Sequence, residues 1–122
     1  MKKLTFVVVD DAIFMRTILK RMIEEEDGFS VLGEADNGYD AIKRAKEFQP
    51  DIMTLDITMP DMDGIRAVPE ILKVSPNTRI IMVSAMGQQS MVIEAIKLGV
   101  RDFVIKPFEK SRVMQAIRNV LS

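Results

Sequence analysis

The stretch that decides the fold is PDIMTLDITMPDMDG, residues 50–64. Its first part, residues 51–55, is a short run with the composition of a buried strand, and Asp56 follows where that strand ends. Residues 58–64 are rich in proline, aspartate and glycine, which favours a loop. The stretch therefore predicts a strand that carries one carboxylate to the edge of a sheet.

Four more strands and five helices are predicted around this stretch. Short apolar runs indicate the strands, and apolar residues at helical spacing indicate the helices. The predicted strands are residues 4–9, 30–34, 51–55, 78–83 and 101–105. The predicted helices are residues 12–25, 39–48, one from the loop to about 74, 88–98 and 110–121. Pro69 lies inside the third helix and removes a backbone donor, so we expect a bend there.

The alternation of strands and helices with short links predicts an α/β fold. Five such βα units imply a doubly wound domain, an open parallel five-stranded sheet with helices on both faces and right-handed crossovers. The 122 residues suffice for one domain with its own core, so we expect that single domain to carry the whole function.

Composition limits the chemistry. The chain has no cysteine and no histidine, which excludes thiol and imidazole chemistry and leaves carboxylates, lysines and hydroxyls. A formal net charge of -1 gives no basic field for nucleic acid, and the apolar runs are too short for a membrane span or a signal peptide. We therefore expect a soluble cytoplasmic protein that contacts neither nucleic acid nor a membrane.

Four of the predicted strands end in residues that carry chemistry. Asp10 and Asp11 follow the first strand, Asp56 the third, Ser84 the fourth and Lys106 the fifth. Ligands of open parallel sheets bind beyond the carboxyl ends of the strands, so we expect these side chains to meet. Three crowded carboxylates repel one another and need a divalent cation, a lysine or protonation to offset the repulsion, and oxygen ligands of this kind suit Mg²⁺. Because a lysine and a hydroxyl complement a small tetrahedral anion, the set favours phosphorylation of an aspartate.

Four motifs resemble the receiver domain of bacterial two-component response regulators. They are DD at 10–11, DITMPDMDG at 56–64, SAMG at 84–87 and KPF at 106–108. Within that family, DDAIFMR at 10–16 and SAMGQQSMVIEAIK at 84–97 are most similar to the response regulators of chemotaxis. The resemblance implies the flavodoxin-like strand order 2-1-3-4-5 and a receiver domain over residues 1–122 with no output domain.

The resemblance also implies a role for each site residue. Asp56 is the expected phospho-acceptor, charged by the phosphohistidine of a separate histidine kinase. Mg²⁺ is expected on the side chains of Asp11 and Asp56 and the backbone carbonyl of Thr58, with Asp10 contributing directly or through water. Lys106 is expected to pair with a phosphoryl oxygen. Such a domain is a switch protein, and it catalyses only its own phosphorylation and dephosphorylation.

A second group of residues is implied to transmit the signal. Ser84 is expected to move towards the phosphoryl group, and Phe103 to rotate inward into the space released. The peptide bond between Lys106 and Pro107 is expected to be cis. Thr58 and Met86, which lie two residues after Asp56 and Ser84 respectively, are expected to flank the route of an attacking water.

The implied partner surface lies on the fourth and fifth helices. Ile93, Met114 and Leu121 fall at the edges of their apolar stripes, which predicts partly exposed apolar area near Phe103. The resemblance implies that this face of a monomer binds a flagellar motor switch protein or another protein target.

Simpler interpretations exist for several residues. Taken alone, Asp10 and Asp11 are as well explained as helix caps as by metal binding. Asp61 and Asp63 are better explained as loop and cap residues than as ligands.

Other functions are also open. One is a phosphorelay intermediate, or the isolated receiver of a longer transcriptional regulator. Another is an aspartyl-phosphate phosphohydrolase, but those enzymes carry a second aspartate where this chain has Thr58. A doubly wound domain without phosphate chemistry would leave the agreement of four strand ends unexplained.

Overall fold

The computed structural model describes residues 3–122. Its strands are β1 (Leu4–Val9), β2 (Phe29–Ala35), β3 (Ile52–Leu55), β4 (Arg79–Ser84) and β5 (Asp102–Ile105). Its helices are α1 (Ile13–Glu24), α2 (Gly38–Phe48), α3 (Gly64–Val74), α4 (Gln89–Leu98) and α5 (Lys110–Leu121). The strands form one parallel sheet in the order β2-β1-β3-β4-β5, which confirms the predicted fold class and strand order.

The core lies in two apolar layers, one on each face of the sheet. Alternate strand residues point to opposite faces, so Met53 and Leu55 of β3 join the layer under α2, α3 and α4, and Ile52 joins the layer under α1 and α5. All four residues of β3 are buried because β3 is the central strand. Burial of each such aliphatic side chain contributes roughly 1.5–3 kcal/mol to the stability of the fold. The two apolar layers therefore hold the strands, and the residues at their carboxyl ends, in fixed positions.

The predicted elements are all present, with ends that differ by a residue or two. β1 and α5 have the predicted bounds, whereas β2 extends one residue further at each end. β2 is an edge strand with only one buried residue, so its apolar pattern marks its ends poorly. Among the described residues no helix is long and apolar enough to cross a membrane.

Pro69 does not interrupt α3. The helix begins at Gly64, where Asp63 accepts a hydrogen bond from the backbone nitrogen of Arg66 over 2.8 Å, so the predicted role of Asp63 as a cap is confirmed. Pro69 itself is exposed. Proline has no backbone N–H, so the carbonyl four residues earlier loses its usual helical donor. On the exposed side of the helix water can bond that carbonyl, which explains why the helix continues through Pro69.

Candidate functional site

The parallel register brings the chemistry-bearing residues to one edge of the sheet. Val9 of β1 pairs with Leu55 of β3, so the next residues, Asp10 and Asp56, leave the sheet side by side. Ser84 is the last residue of β4, and Lys106 follows β5. The five chemistry-bearing residues thus all lie at the carboxyl ends of their strands, where ligands of this architecture bind.

Three carboxylates and one ammonium group form the centre of the site. Asp10, Asp11 and Asp56 each offer an oxygen, and these oxygens all lie within 4.8 Å of one another. Lys106 Nζ lies 2.6 Å from Asp10 Oδ2 and 3.2 Å from Asp56 Oδ2. Asp10 is 1% and Asp56 5% exposed, whereas Asp11 faces solvent. The cluster is therefore open on the side of Asp11.

The electrostatics of the cluster favour a bound cation. Burial raises the pKa of Asp56 and the charge of Asp10 raises it further, while the ion pair with Lys106 only partly offsets them. Burial pulls the pKa of Lys106 down, but its hydrogen bond to Asp10 and the charges of Asp56 and Asp10 outweigh burial, so the net shift is upward. The lysine thus keeps its proton, and one positive charge does not balance three crowded carboxylates.

Backbone groups hold the two buried carboxylates. The nitrogen of Ile57 donates to Asp56 Oδ1 over 2.7 Å, and the nitrogen of Ala12 donates to Asp10 Oδ1 over 2.9 Å. Ala12 precedes the first residue of α1, so Asp10 bonds the start of that helix and also faces Lys106. Asp10 therefore contacts both the backbone just before α1 and the ammonium group of Lys106, although the N-cap residue of α1 is Ala12 and receives no side-chain cap.

Ser84 ends β4, the strand between β3 and β5. It is buried, its Oγ accepts from the backbone nitrogen of Met86 over 3.1 Å, and its carbonyl accepts from the backbone nitrogen of Lys106 over 2.9 Å. The exposed Thr58 donates from Oγ1 to Met86 Sδ over 3.2 Å, so the two residues predicted to flank the water route contact each other. The peptide bond between Lys106 and Pro107 is cis.

Gly64 is a structural part of the site that the sequence pattern did not single out. Its nitrogen donates to the carbonyl of Ile57 over 2.8 Å, and a Cβ added at this position would collide with the carbonyl oxygen of Asp56. Only a residue without a side chain lets α3 begin this close to the end of β3. The available signal is a glycine at the end of a loop and the start of a helix, but in the sequence alone this glycine indicates only a loop.

The predicted partner face is exposed in part. Ile93 is 45% and Leu121 43% exposed, as predicted. The prediction for Met114 is wrong, because Met114 is only 9% exposed and packs with Ile117 in the layer under α1 and α5. The apolar stripe of α5 is one position wider than the sequence pattern indicated.

Phe103 adds little to that surface. Its side chain is 9% exposed and packs in the layer under α2, α3 and α4. Two apolar residues beyond those predicted for the partner face, Ile96 and Ile105, are 55% and 44% exposed on α4 and β5. The exposed apolar area of this face comes from these residues together with Ile93 and Leu121.

Comparison with known proteins agrees with the fold. The profile of the family described as response regulator receiver domain matches residues 6–118. The chain therefore belongs to the response regulator receiver domain family. Within that family it is a receiver of the CheY type, and receivers of this type act as signal switches.

Two chemotaxis relatives are similar along almost their whole length. The chain is 56% identical to the chemotaxis protein CheY of Thermotoga maritima, over 93% of this chain and 94% of that protein. It is 52% identical to CheY of Bacillus subtilis, over 95% of this chain and 96% of that protein. Among solved structures, the CheX-CheY-BeF3-Mg²⁺ complex of Borrelia burgdorferi is 32% identical with a TM-score of 0.94, covering 99% of this chain and 91% of that chain.

Proposed function

We propose that the protein is a stand-alone phospho-receiver in which Asp56 accepts a phosphoryl group from a histidine kinase of the CheA-like kind. The observation that carries the proposal is the position of Lys106 Nζ, in contact with both Asp10 and Asp56 at the edge where three carboxylates meet. The Lys106 ammonium group is shared by two buried carboxylates, so it can stabilise the negative charge that a phosphoryl group adds to one of them.

The donor set fits Mg²⁺. Asp10, Asp11 and Asp56 supply hard oxygen atoms close together, and the backbone carbonyl of Thr58 is the fourth protein ligand that we propose. When bound, Mg²⁺ supplies neutralisation of the negative charge on the carboxylates and the phosphoryl oxygens. The excess of carboxylate charge over the one lysine supports this assignment.

The proposed transfer of a phosphoryl group to Asp56 does not require a histidine of this chain as a proton donor. A carboxylate oxygen of Asp56 forms a bond to phosphorus while the bond from phosphorus to the donor nitrogen breaks, and the electron pair of that bond stays on the donor. Lys106 holds its proton throughout and pairs with a phosphoryl oxygen in place of a carboxylate oxygen. Ser84 Oγ accepts from the nitrogen of Met86 and keeps its own hydrogen to donate to the product.

We place the protein in chemotaxis, in the cytoplasm between a kinase and a flagellar motor switch protein or other target. The support is the match to CheY relatives over 94% and 96% of their own length. A receiver similar to this one also makes up part of longer proteins, since the chain matches 30% of a protein-glutamate methylesterase from Thermotoga maritima. The alternative of a relay or of a longer regulator is tested by phosphotransfer from phosphorylated protein to a second histidine domain.

The proposed output is the face formed by α4, β5 and α5. Ser84 and Phe103 would change position when Asp56 is phosphorylated, and exposed Ile93 and Leu121 would contact the target. Phe103 is already buried in this structure, so the proposed change on phosphorylation is a shift within the core. Lys106 is the group that would join the phosphoryl oxygens to this face through β5.

Intact mass measurement tests the proposed acceptor. Incubation with acetyl phosphate and MgCl2 should add one phosphoryl group to the wild type and none to Asp56→Asn, because the amide is not a nucleophile at phosphorus. Asp36→Asn is the matched control, since Asp36 is an exposed aspartate that follows another strand of the same sheet. Asp56→Asn protein that gains mass as the wild type does would refute the proposal.

Target binding tests the proposed output. Phosphorylated Lys106→Ala should bind Mg²⁺ yet fail to raise its affinity for a motor switch protein, because the phosphoryl group has lost the cation that couples it to β5. Lys73→Ala removes a lysine that pairs with Glu70 on α3, outside the proposed output face, and it should respond as the wild type does. Equal gains in affinity for the wild type and Lys106→Ala would contradict the coupling.

A further inference from the structure

A guanidinium group contacts the backbone that carries the acidic residues of the site. Arg16, in α1, donates from Nη1 to the carbonyl oxygen of Asp10 over 2.8 Å. This carbonyl belongs to the planar peptide unit that joins Asp10 to Asp11. A hydrogen bond to it restrains the backbone from which both carboxylates project.

Arg16 is itself held in place. Its Nε donates to Glu34 Oε1 over 3.0 Å, and its side chain is only 15% exposed. Lys20, one helical turn later, donates to Glu34 Oε2 over 2.8 Å. The hydrogen bond from Lys20, followed by that from Arg16, lowers the pKa of Glu34 against the effect of burial, so Glu34 is charged at neutral pH. The end of β2 therefore anchors the guanidinium that contacts the end of β1.

The contact completes the restraint of Asp10. Its nitrogen donates to Ala35 O over 3.1 Å, Ala12 N donates to its Oδ1 over 2.9 Å, and Lys106 donates to its Oδ2 over 2.6 Å. With Arg16 on its carbonyl, every polar atom of Asp10 has a partner. Arg16 is the one side chain in this set that lies outside the proposed phosphoryl chemistry. Its contact therefore calls for a separate explanation.

We propose that Arg16, anchored by Glu34, is a positioning residue for Mg²⁺. It fixes the peptide between Asp10 and Asp11 and so preorganises two of the ligands before the ion arrives. The inference rests on the proposed function, which supplies the ion. Groups that orient metal ligands without touching the metal typically change metal affinity by about 10- to 100-fold when they are replaced.

Calorimetric titration of the unphosphorylated chain with MgCl2 tests the inference. Arg16→Met keeps the apolar stem and removes every donor, and it should raise the Mg²⁺ dissociation constant about 10-fold. Glu34→Gln leaves Arg16 in place without its charged anchor and should raise the constant by a smaller factor. Urea unfolding of each variant establishes that the titrated protein is folded.

Arg112→Met is the matched control. Arg112 donates from Nη2 to the carbonyl of Phe103 over 3.0 Å and to Asp102 Oδ1 over 3.3 Å. It thus also bridges a backbone carbonyl and a carboxylate, but it does so on β5, at the opposite edge of the sheet from the strand that carries Glu34. Its replacement should leave the Mg²⁺ dissociation constant unchanged, whatever its effect on stability.

The outcomes separate the inference from the proposed function. Wild-type affinity for Mg²⁺ in Arg16→Met, or an equal loss in Arg112→Met, would overturn the positioning role and leave the proposed function intact. If Arg16→Met does not fold, unchanged affinity in folded Glu34→Gln would overturn the role as well. A wild-type chain that binds no Mg²⁺ would instead contradict the proposed function itself.

Discussion

Replacing Gly64 by alanine should damage both the fold and the phosphoryl chemistry. A Cβ at this position would collide with the carbonyl oxygen of Asp56, and the nitrogen of Gly64 donates to the carbonyl of Ile57 over 2.8 Å. The start of α3 must therefore move away from the acceptor strand, or the peptide between Asp56 and Ile57 must rotate. Either change displaces the backbone that holds the acceptor carboxylate.

The expected change in the free energy of unfolding combines one stabilising effect with two destabilising effects. Alanine improves helix propensity by at most about 1 kcal/mol relative to glycine. Overpacking at a backbone contact costs roughly 1–3 kcal/mol, and stretching the hydrogen bond to Ile57 costs about 1 kcal/mol more. Gly64→Ala should therefore lower the free energy of unfolding by about 1–3 kcal/mol. A displacement of about 1 Å at the acceptor should slow phosphorylation by about 100-fold.

Gly28→Ala separates the effect on the site from the effect on stability. Gly28 has a φ of 85° and no atom within 4 Å of an added Cβ, so alanine there costs only the strain of a left-handed backbone, about 1–2 kcal/mol. The assays are urea unfolding and the initial rate of mass gain with acetyl phosphate at saturating MgCl2. Gly28→Ala should lose stability and keep the wild-type rate. Gly64→Ala with wild-type stability and rate would refute the reasoning.

Three further substitutions test the stability of the scaffold. Thr54→Val should raise the free energy of unfolding by about 1 kcal/mol in urea unfolding, because Thr54 Oγ1 is buried without a hydrogen-bond partner among the described residues; a loss of stability would contradict this. Asp63→Ala should cost about 1 kcal/mol, since it removes the cap on Arg66 N, and an unchanged midpoint would contradict the capping role. Glu34→Gln should cost less than about 1 kcal/mol at neutral pH, because its ion pairs are partly solvated. The pKa of Glu34 is lowered chiefly by Lys20, so this cost is present above the ordinary pKa of a glutamate and should vanish as pH falls through the lowered value; a constant difference across that range would count against it.

Much of the fold follows from the sequence because the apolar pattern and the breakers agree. The central strand β3 is a short run without charge, and the loop after it contains the residues that end strands, so its position is clear. The edge strand β2 has one buried residue, and its ends were therefore predicted less well. Periodicity reports burial, and burial is weakest at the edge of a sheet.

The meeting of the site residues was predictable for a topological reason. Asp10, Asp56 and Lys106 lie far apart in the chain, but parallel strands bring their carboxyl ends to one edge. The hydrogen bond from Arg16 to the carbonyl of Asp10 was not predictable, because a backbone acceptor leaves no mark in the sequence. The same holds for Gly64, whose constraint is the position of another segment of backbone.

The partner face shows the limit of helical patterning. Met114 lies three residues before Ile117 on α5. The sequence alone does not say how wide a stripe of the helix surface the sheet covers. The structure buries Met114 and leaves Leu121 exposed. The width of a buried stripe depends on the packing partner, which sequence periodicity does not contain.

The most direct test of the central claim is to locate the phosphoryl group within the acidic cluster. Borohydride reduction converts an acyl phosphate side chain to a primary alcohol, and peptide sequencing by mass spectrometry then identifies the modified residue. The oxygens of Asp10, Asp11 and Asp56 lie within 4.8 Å of one another, so only a residue-level measurement separates them. We predict modification at Asp56 alone. Modification at Asp10 or Asp11, or at a residue outside the cluster, would contradict the account.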